Sequence, residues 1–299
     1  MPTTLAATHA PSMAGTDRFQ RYYEEAGPDY AAWSPAFNMH FGFFRWGMNP
    51  FNREAMLEQM NIEILQRLHL DKAPSPHPRV LDMGCGLGAT LRSIARRLPA
   101  AQLHGITLVP WQIEQGRLLN QSSPHAAAIT LGLDDYEQTA FPSASFHAAY
   151  AIESSCYSNG TSKSRLIHEA RRLLRSGGRF VVADGFLGPG KLRGPQRILY
   201  RRLCDCWAID TLGDIESFAR ELENAGFRDI VIEPMQARVT PSVLHVPWVT
   251  LKFLLSSHVF GAQKMTPARW NNVIAPLLLP FLGYPIGPLA YFLVSATVA

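Results

Sequence analysis

Residues 80–90 read Val-Leu-Asp-Met-Gly-Cys-Gly-Leu-Gly-Ala-Thr, an apolar run that enters three glycines at alternate positions, Gly84, Gly86 and Gly88. Few folds accommodate this pattern. The run after Pro78 reads as a buried first strand, with Asp82 near its carboxyl end. The glycines then let the backbone turn sharply and approach a ligand that a Cβ would exclude. A helix is expected from Ala89 to Leu98, its N-terminus facing the crevice. The spacing is GxGxG, whereas a dinucleotide fingerprint is GxGxxG, and Leu91 leaves no phosphate-loop Lys-Ser/Thr pair.

Further along, the chain alternates strand and helix. Strands are expected over Gln102–Leu108, Ala126–Leu133 and Phe146–Ile152, with a helix over Val109–Leu119. A helix over Ser162–Leu174, a stop at Ser176-Gly177-Gly178 and a strand over Arg179–Ala183 follow. Ile215–Ala225 is a helix closed by Gly226, Arg228–Glu233 a strand, and Ala290–Ala296 a last strand. This rhythm predicts an α/β fold: a seven-stranded, mostly parallel, doubly wound sheet with helices on both faces.

Composition narrows the function classes. Charged residues are 17% and the AVILMFWYC set 47% of 299 residues, enough for a large core with apolar surface to spare. A net charge of +4 is too slight to imply a nucleic-acid partner. The four cysteines, Cys85, Cys156, Cys204 and Cys206, show no CxxC spacing, so no zinc or iron–sulfur site is expected and the metal assignment is none. Their scatter suits a reducing cytoplasm. The first sixteen residues have no apolar h-region and read as disordered. Although 271–299 is long enough to cross a bilayer, Pro276, Pro280, Pro285 and Pro288 punctuate it, so it is expected not to span one.

The glycine turn resembles the first motif of the S-adenosylmethionine-dependent methyltransferases of the Rossmann-like class. That resemblance implies S-adenosyl-L-methionine as cofactor, with loop roles for Asp82, Gly84, Cys85, Gly86 and Gly88. The second strand ends Gly105-Ile106-Thr107-Leu108 without the ribose-binding acid common in the family. Here the text is similar to the sterol, tocopherol and cyclopropane-fatty-acid branch, whose downstream Gln takes the ribose side; Gln112 matches it, beside Thr107. Asp135 matches the acid that accepts from the adenine amino group, with Tyr136 next to it. The resemblance divides the chain into a helical cap (17–72), a methyltransferase core (79–236), a lid insertion (237–289) and a final core strand (290–299). The linker 73–78 separates cap from core.

Three segments bear on the acceptor. Residues 20–46 are dense in aromatics, among them Tyr22, Tyr23, Trp33, Phe37 and Trp46, with His40 between them; they either pack a cap or wall a substrate site. Tyr150-Ala151-Ile152-Glu153-Ser154-Ser155-Cys156 resembles the strand-four motif of sterol C-methyltransferases and places Glu153 beside the reacting methyl. The apolar stretches 241–262 and 271–299 resemble the family's lid over a lipophilic pocket. The favoured reaction is C-methylation of an isoprenoid or sterol-like alkene through a carbocation, with Glu153, His40, Tyr22 and Tyr23 catalytic and Trp33, Phe37, Trp46 and Cys156 against the substrate. The alternatives are O- or N-methylation of an aromatic secondary metabolite, with His40 as base, and a cyclising or binding protein that transfers nothing. The basic run Lys191, Arg193, Arg197, Arg201 and Arg202 is either a solvated face or a site for a prenyl diphosphate or anionic lipid. Peripheral membrane contact and oligomeric state stay open.

Overall fold

The computed structural model describes residues 13–188, 192, 194–259, 264–283 and 287–299. In chain order its elements are α1 (Met13–Ala26), α2 (Tyr30–Trp33), α3 (Arg53–Arg67), β1 (Arg79–Met83), α4 (Ala89–Arg97), β2 (Gln102–Thr107) and α5 (Pro110–Gln121). There follow β3 (Ile129–Leu133), β4 (Phe146–Ile152), α6 (Ser164–Leu173), β5 (Leu174–Leu187), α7 (Pro195–Cys206), β6 (Gly213–Asp214), α8 (Ile215–Asn224) and β7 (Phe227–Pro234). Three helices, α9 (Gln236–Val243), α10 (Val246–Val259) and α11 (Pro267–Leu282), precede β8 (Leu289–Val298).

The sheet runs β3-β2-β1-β4-β5-β8-β7, with β6 beside β5. All pairings are parallel except those of β8, which is antiparallel to both β5 and β7. The central strands are apolar on both faces because helices cover both, which is why Phe146 to Ala151 are all buried. One core layer sets α3 and α4 against Val80, Leu103, Tyr150 and Leu293; the other sets α6 and α8 against Leu81, Phe180, Phe186 and Val294. Strand order reverses between β1 and β4, so the crevice that such sheets offer to ligands opens at their carboxyl ends.

The doubly wound α/β expectation holds, and five local readings are corrected. Residues 13–16 begin α1 rather than a disordered start, while 1–12 lie outside the described residues. Residues 126–128 form a 3-10 turn ahead of β3, not part of the strand. The Ser176-Gly177-Gly178 stop lies inside β5, where Gly177 has φ +76° and bends the strand without ending it. β6 is an eighth strand of two residues, too short to leave a pattern. Pro276 and Pro280 sit within α11 instead of breaking it. No described helix is long and apolar enough to cross a membrane; Pro285 is outside the described residues.

β8 is the wedge of the sheet. Leu293, Val294 and Val298 are almost wholly buried, and at roughly 1.5–3 kcal/mol each they rival a domain's net margin of about 5–15 kcal/mol. Removing 290–299 is therefore expected to abolish the cooperative thermal transition followed by circular dichroism, since it strips pairing partners from β5 and β7 together. A truncated chain that still melts sharply contradicts this role.

Candidate functional site

The glycine turn emerges from β1 and is fastened to β2: Gly84 N and Cys85 N both donate to Ile106 O, at 3.0 and 2.9 Å. Gly84 has φ +101°, and a Cβ there would collide with Ser154 at the end of β4. Gly86 has φ +50° and its Cβ would come 3.2 Å from Met39 Sδ. Backbone therefore forms the floor of a cleft of about 810 Å³, lined by Asp82, Gly84, Cys85 and Gly86 on one side and Thr107, Gln112, Asp135 and Tyr136 on the other. Gly88 sits behind the loop and opens α4. Phe37 and Met39 close the cleft from the N-terminal segment.

Its polar groups are oriented by their neighbours. Thr107 Oγ1 accepts from Val109 N and donates to Gln112 Oε1 at 2.7 Å. This fixes the buried Gln112 amide and leaves its NH2 without a protein acceptor among the described residues. Asp135 Oδ1 accepts from Glu137 N at 2.8 Å, and burial raises the carboxyl above its ordinary value. Tyr136 Oη donates to Ser154 O at 2.8 Å, joining the β3 loop to the end of β4. Asp82 has no cationic partner among the described residues, and burial pushes it up to about 7. The Tyr150 hydroxyl lies near it and opposes that rise, yet makes no well-formed hydrogen bond. The Cys85 and Cys156 thiols are buried and held neutral.

A second, apolar chamber of about 440 Å³ adjoins the cleft. Trp33, Phe41 and Cys156 line it, with Tyr30, Leu203 and Tyr291, and α9, α10 and α11 roof it. Tyr23, Met39, His40, Glu153 and Tyr157 line both spaces and mark their junction. The tyrosines brace one another there, Tyr23 Oη lying 3.1 Å from Tyr157 Oη. Among the described residues the chamber wall carries the carboxylates of Asp29, Glu153 and Asp184 and no lysine or arginine.

Glu153 sits just past β4 with φ +46°, a left-handed turn that aims its side chain back over the switch point. Its Oε1 accepts from Phe41 N at 2.7 Å and from Tyr291 Oη at 2.9 Å. Oε2 has no protein donor among the described residues. Burial, with lesser repulsion from Asp184, pushes the carboxyl up to about 8 against those two bonds.

His40 does not suit the role of base. Its Nδ1 faces Phe41 O at 2.9 Å and its Nε2 faces Asn61 Oδ1 at 3.1 Å, so neither nitrogen is turned to a ligand. The ring instead pins the 38–41 segment to α3, where Asn61 also meets Thr90 and Asn38. Tyr22 is buried but lines neither space; its hydroxyl donates to Asn272 Oδ1 at 2.8 Å and struts α1 against α11. Trp46 is 83% exposed in a surface turn, away from the chamber. Arg197 and Arg201 lie on the exposed face of α7 and line neither space, because that helix turns Leu203 and Cys206 inward. Lys191 and Arg193 are outside the described residues. Tyr157, Tyr291 and Asp184 escaped the sequence reading, although Tyr157 lies only four residues beyond Glu153 on the same loop.

A family model described as a methyltransferase domain matches residues 80–178. An O-methyltransferase of Pyrenophora dematioidea is 34% identical over 204 residues, which cover 68% of this chain and 73% of that protein. The chain belongs to the S-adenosylmethionine-dependent methyltransferases. Within this family it is also similar to cycloartenol-C-24-methyltransferase 1 of Oryza sativa subsp. japonica, at 28% identity over 247 residues, 81% of this chain and 67% of that one. The fold matches that of geranyl diphosphate methyltransferase in complex with GPP and sinefungin, with a TM-score of 0.70 at 16% identity over 96% of this chain and all of that one. The donor of this methyltransferase is S-adenosyl-L-methionine, and the cleft suits it: a backbone floor, a free amide, and unpaired carboxylates at Asp82 and Asp135.

Among the described residues no group of three or more His, Cys, Asp or Glu could hold a metal ion. Gln112→Ala removes the one oriented donor facing the cleft from α5. It is expected to weaken S-adenosylmethionine binding roughly tenfold, the worth of one good hydrogen bond. Calorimetry checks this, with an unchanged melting temperature as control; undiminished affinity means that Gln112 does not touch the cofactor.

Proposed function

We propose that this methyltransferase methylates an uncharged, lipophilic acceptor held in the second chamber, and that Glu153 takes the proton the acceptor gives up. The observation that carries the reading is the free Oε2 of Glu153 at the junction of a polar cleft and an apolar chamber. When bound, S-adenosylmethionine supplies a sulfonium methyl that is electrophilic without further activation. What remains for the protein is alignment, exclusion of water and disposal of a proton.

For the cofactor, the buried Asp82 carboxylate would meet a cationic ammonium, the Gln112 amide would donate to ribose oxygens, and Asp135 would accept from the adenine amino group. Tyr136 and Cys85, which line the cleft, would pack against the ligand. Oε1 of Glu153 is held by two donors, so the side chain cannot swing away, and Oε2 is the only carboxylate oxygen left for the acceptor. No described lysine or arginine lines the chamber, and the neighbouring Arg269 is already paired with Asp29, which disfavours a diphosphate head group.

Two acceptor atoms meet these requirements. A hydroxyl oxygen is supported by the O-methyltransferase relative, and here Glu153 replaces His40 as the base. An isoprenoid carbon is supported by the rings of Tyr23, Tyr30, Trp33 and Tyr157 around the junction, whose faces stabilise a positive centre by about 0.5–2 kcal/mol each. An acceptor of either kind reaches the enzyme from a lipid phase more readily than from water.

Glu153→Gln keeps the shape and removes the base. It is expected to leave cofactor affinity intact and to lower kcat on the order of a hundredfold; normal turnover overturns the assignment. Transfer of a 13C-methyl group to lipophilic alcohols and alkenes, read by NMR as methoxy or C-methyl product, separates the two acceptor atoms.

The pH profile gives an independent check. A base must be ionised, and burial holds Glu153 near 8 in the ligand-free protein. Thus kcat/KM is expected to rise with pH through about that value. The sulfonium charge favours the carboxylate, so the rising limb of kcat should lie at lower pH. A profile that stays flat from about pH 6 to about pH 9 contradicts the assignment.

A further inference from the structure

The helices that roof the chamber are apolar on the side away from it as well. On α10, Val246, Val249 and Phe253 line the chamber. Counted from Leu244, which lies two residues before the helix at the edge of the chamber, Trp248, Leu251 and Leu255 follow the i, i+4, i+7, i+11 spacing of a single stripe and stand on the side opposite the chamber. They are strongly exposed, Leu244 at 70% and Trp248 and Leu255 at 57% each. On α11, which packs against α10, Trp270, Leu277 and Phe281 are exposed at the same spacing. A helix apolar all round is ordinarily covered on every side, and exposed apolar surface of this extent marks an interaction face.

Charge indicates what covers it. The last acidic residue of the chain is Glu233, so everything from Pro234 onward, lid included, is free of Asp and Glu. Cations remain: Lys252 lies across the Trp248 ring at 4.9 Å, and Lys264 is exposed at the foot of α11. Indole rings and lysines around an aliphatic stripe suit the boundary between head groups and acyl chains. A second copy of the same face would instead set like charges together. The chamber's mouth lies in this face too, for Leu244 and Pro280 both line the chamber and are both exposed. Trp248 stands one turn from Leu244, and Phe281 directly follows Pro280.

We propose that the outer face of α10 and α11 docks on an anionic lipid surface, with the mouth of the acceptor chamber opening into it. The docking stands on this face alone. The passage of the acceptor from lipid into the chamber rests on the lipophilic-acceptor reading above.

Full-length protein is sedimented with phosphatidylcholine vesicles, with and without phosphatidylserine, at low and high salt. Binding is expected to be tighter on vesicles that contain phosphatidylserine at low salt, and that advantage is expected to shrink as salt rises. The triple variant Trp248→Glu, Leu251→Glu, Leu255→Glu should lose vesicle affinity by about a hundredfold or more, through both lost apolar burial and reversed charge. Its S-adenosylmethionine affinity and melting temperature should match those of the parent, since none of the three residues lines the cleft or the chamber.

No binding to either vesicle, or equal binding by the triple variant, overturns the proposal. So does a dimer, seen by light scattering, that the same substitutions convert to monomer, because the face is then an interface between copies. Assays with the acceptor in detergent micelles keep the two proposals separate. Docking fails by itself if micellar turnover is normal and vesicle binding is absent. If vesicle binding is as expected and no lipophilic acceptor is methylated in either medium, the lipophilic-acceptor reading fails and docking stands.

Discussion

A single carboxylate oxygen joins the three parts of the chain that make the site. Glu153 Oε1 takes one hydrogen bond from the backbone of Phe41, in the N-terminal segment, and one from the hydroxyl of Tyr291, in β8. Glu153 itself terminates β4 in a left-handed turn. The segment 38–41 separates cleft from chamber, Tyr291 lies at the chamber's inner end, and β4 flanks the switch point. Their relative placement therefore depends on a group that is costly to bury and is stabilised by the donors it fixes. One oxygen carries that structural duty and the other is left for chemistry.

The chamber needs a second tie, because its floor belongs to the early part of the chain and its roof to the late part. Arg269 of α11 makes two bonds to Asp29, each 2.9 Å long, and both side chains are almost fully buried. Tyr22 and Asn272 repeat the link nearby. A buried ion pair adds little net stability over an apolar pair, but losing one partner strands a charge at about 3–5 kcal/mol. The pairing is thus better understood as fixing the register of roof on floor. Gly27, two residues before Asp29, sets the early segment against α5, since a Cβ there would run into Trp111.

What the sequence revealed follows from which patterns have a period. The strand–helix rhythm and the GxGxG turn are periodic or stereochemically forced, and both appear as read. Aromatic density is neither. Trp33 and Trp46 look alike in the sequence, yet Trp33 Nε1 donates to His40 O at 3.1 Å beside the chamber while Trp46 stands in solvent. Arg197 and Arg201 read as a charge run until the turn of α7 assigns them to its outer side. Tyr291 faces the site through alternation along β8, but which alternate face points inward depends on pairing with β5 and β7, and that is not local information. Gly177 shows the converse: a glycine pair that ordinarily closes a helix lies just past the end of α6 in an irregular stretch of β5, between the Leu174 and Arg179 pairings with β4.

The polarity difference between the two spaces has a chemical consequence. Burial against the apolar chamber is the largest cause of the raised Glu153 carboxyl, so the feature that suits a lipophilic acceptor also makes this acid a competent base near neutral pH. In a polar pocket the same glutamate would be ionised at all working pH values and a weaker base. With Oε1 saturated by two donors, basicity is concentrated in Oε2, toward the space where the acceptor sits. The chamber that selects the acceptor is thereby also what tunes the group that deprotonates it, and substitutions that admit water there should weaken selection and base strength together.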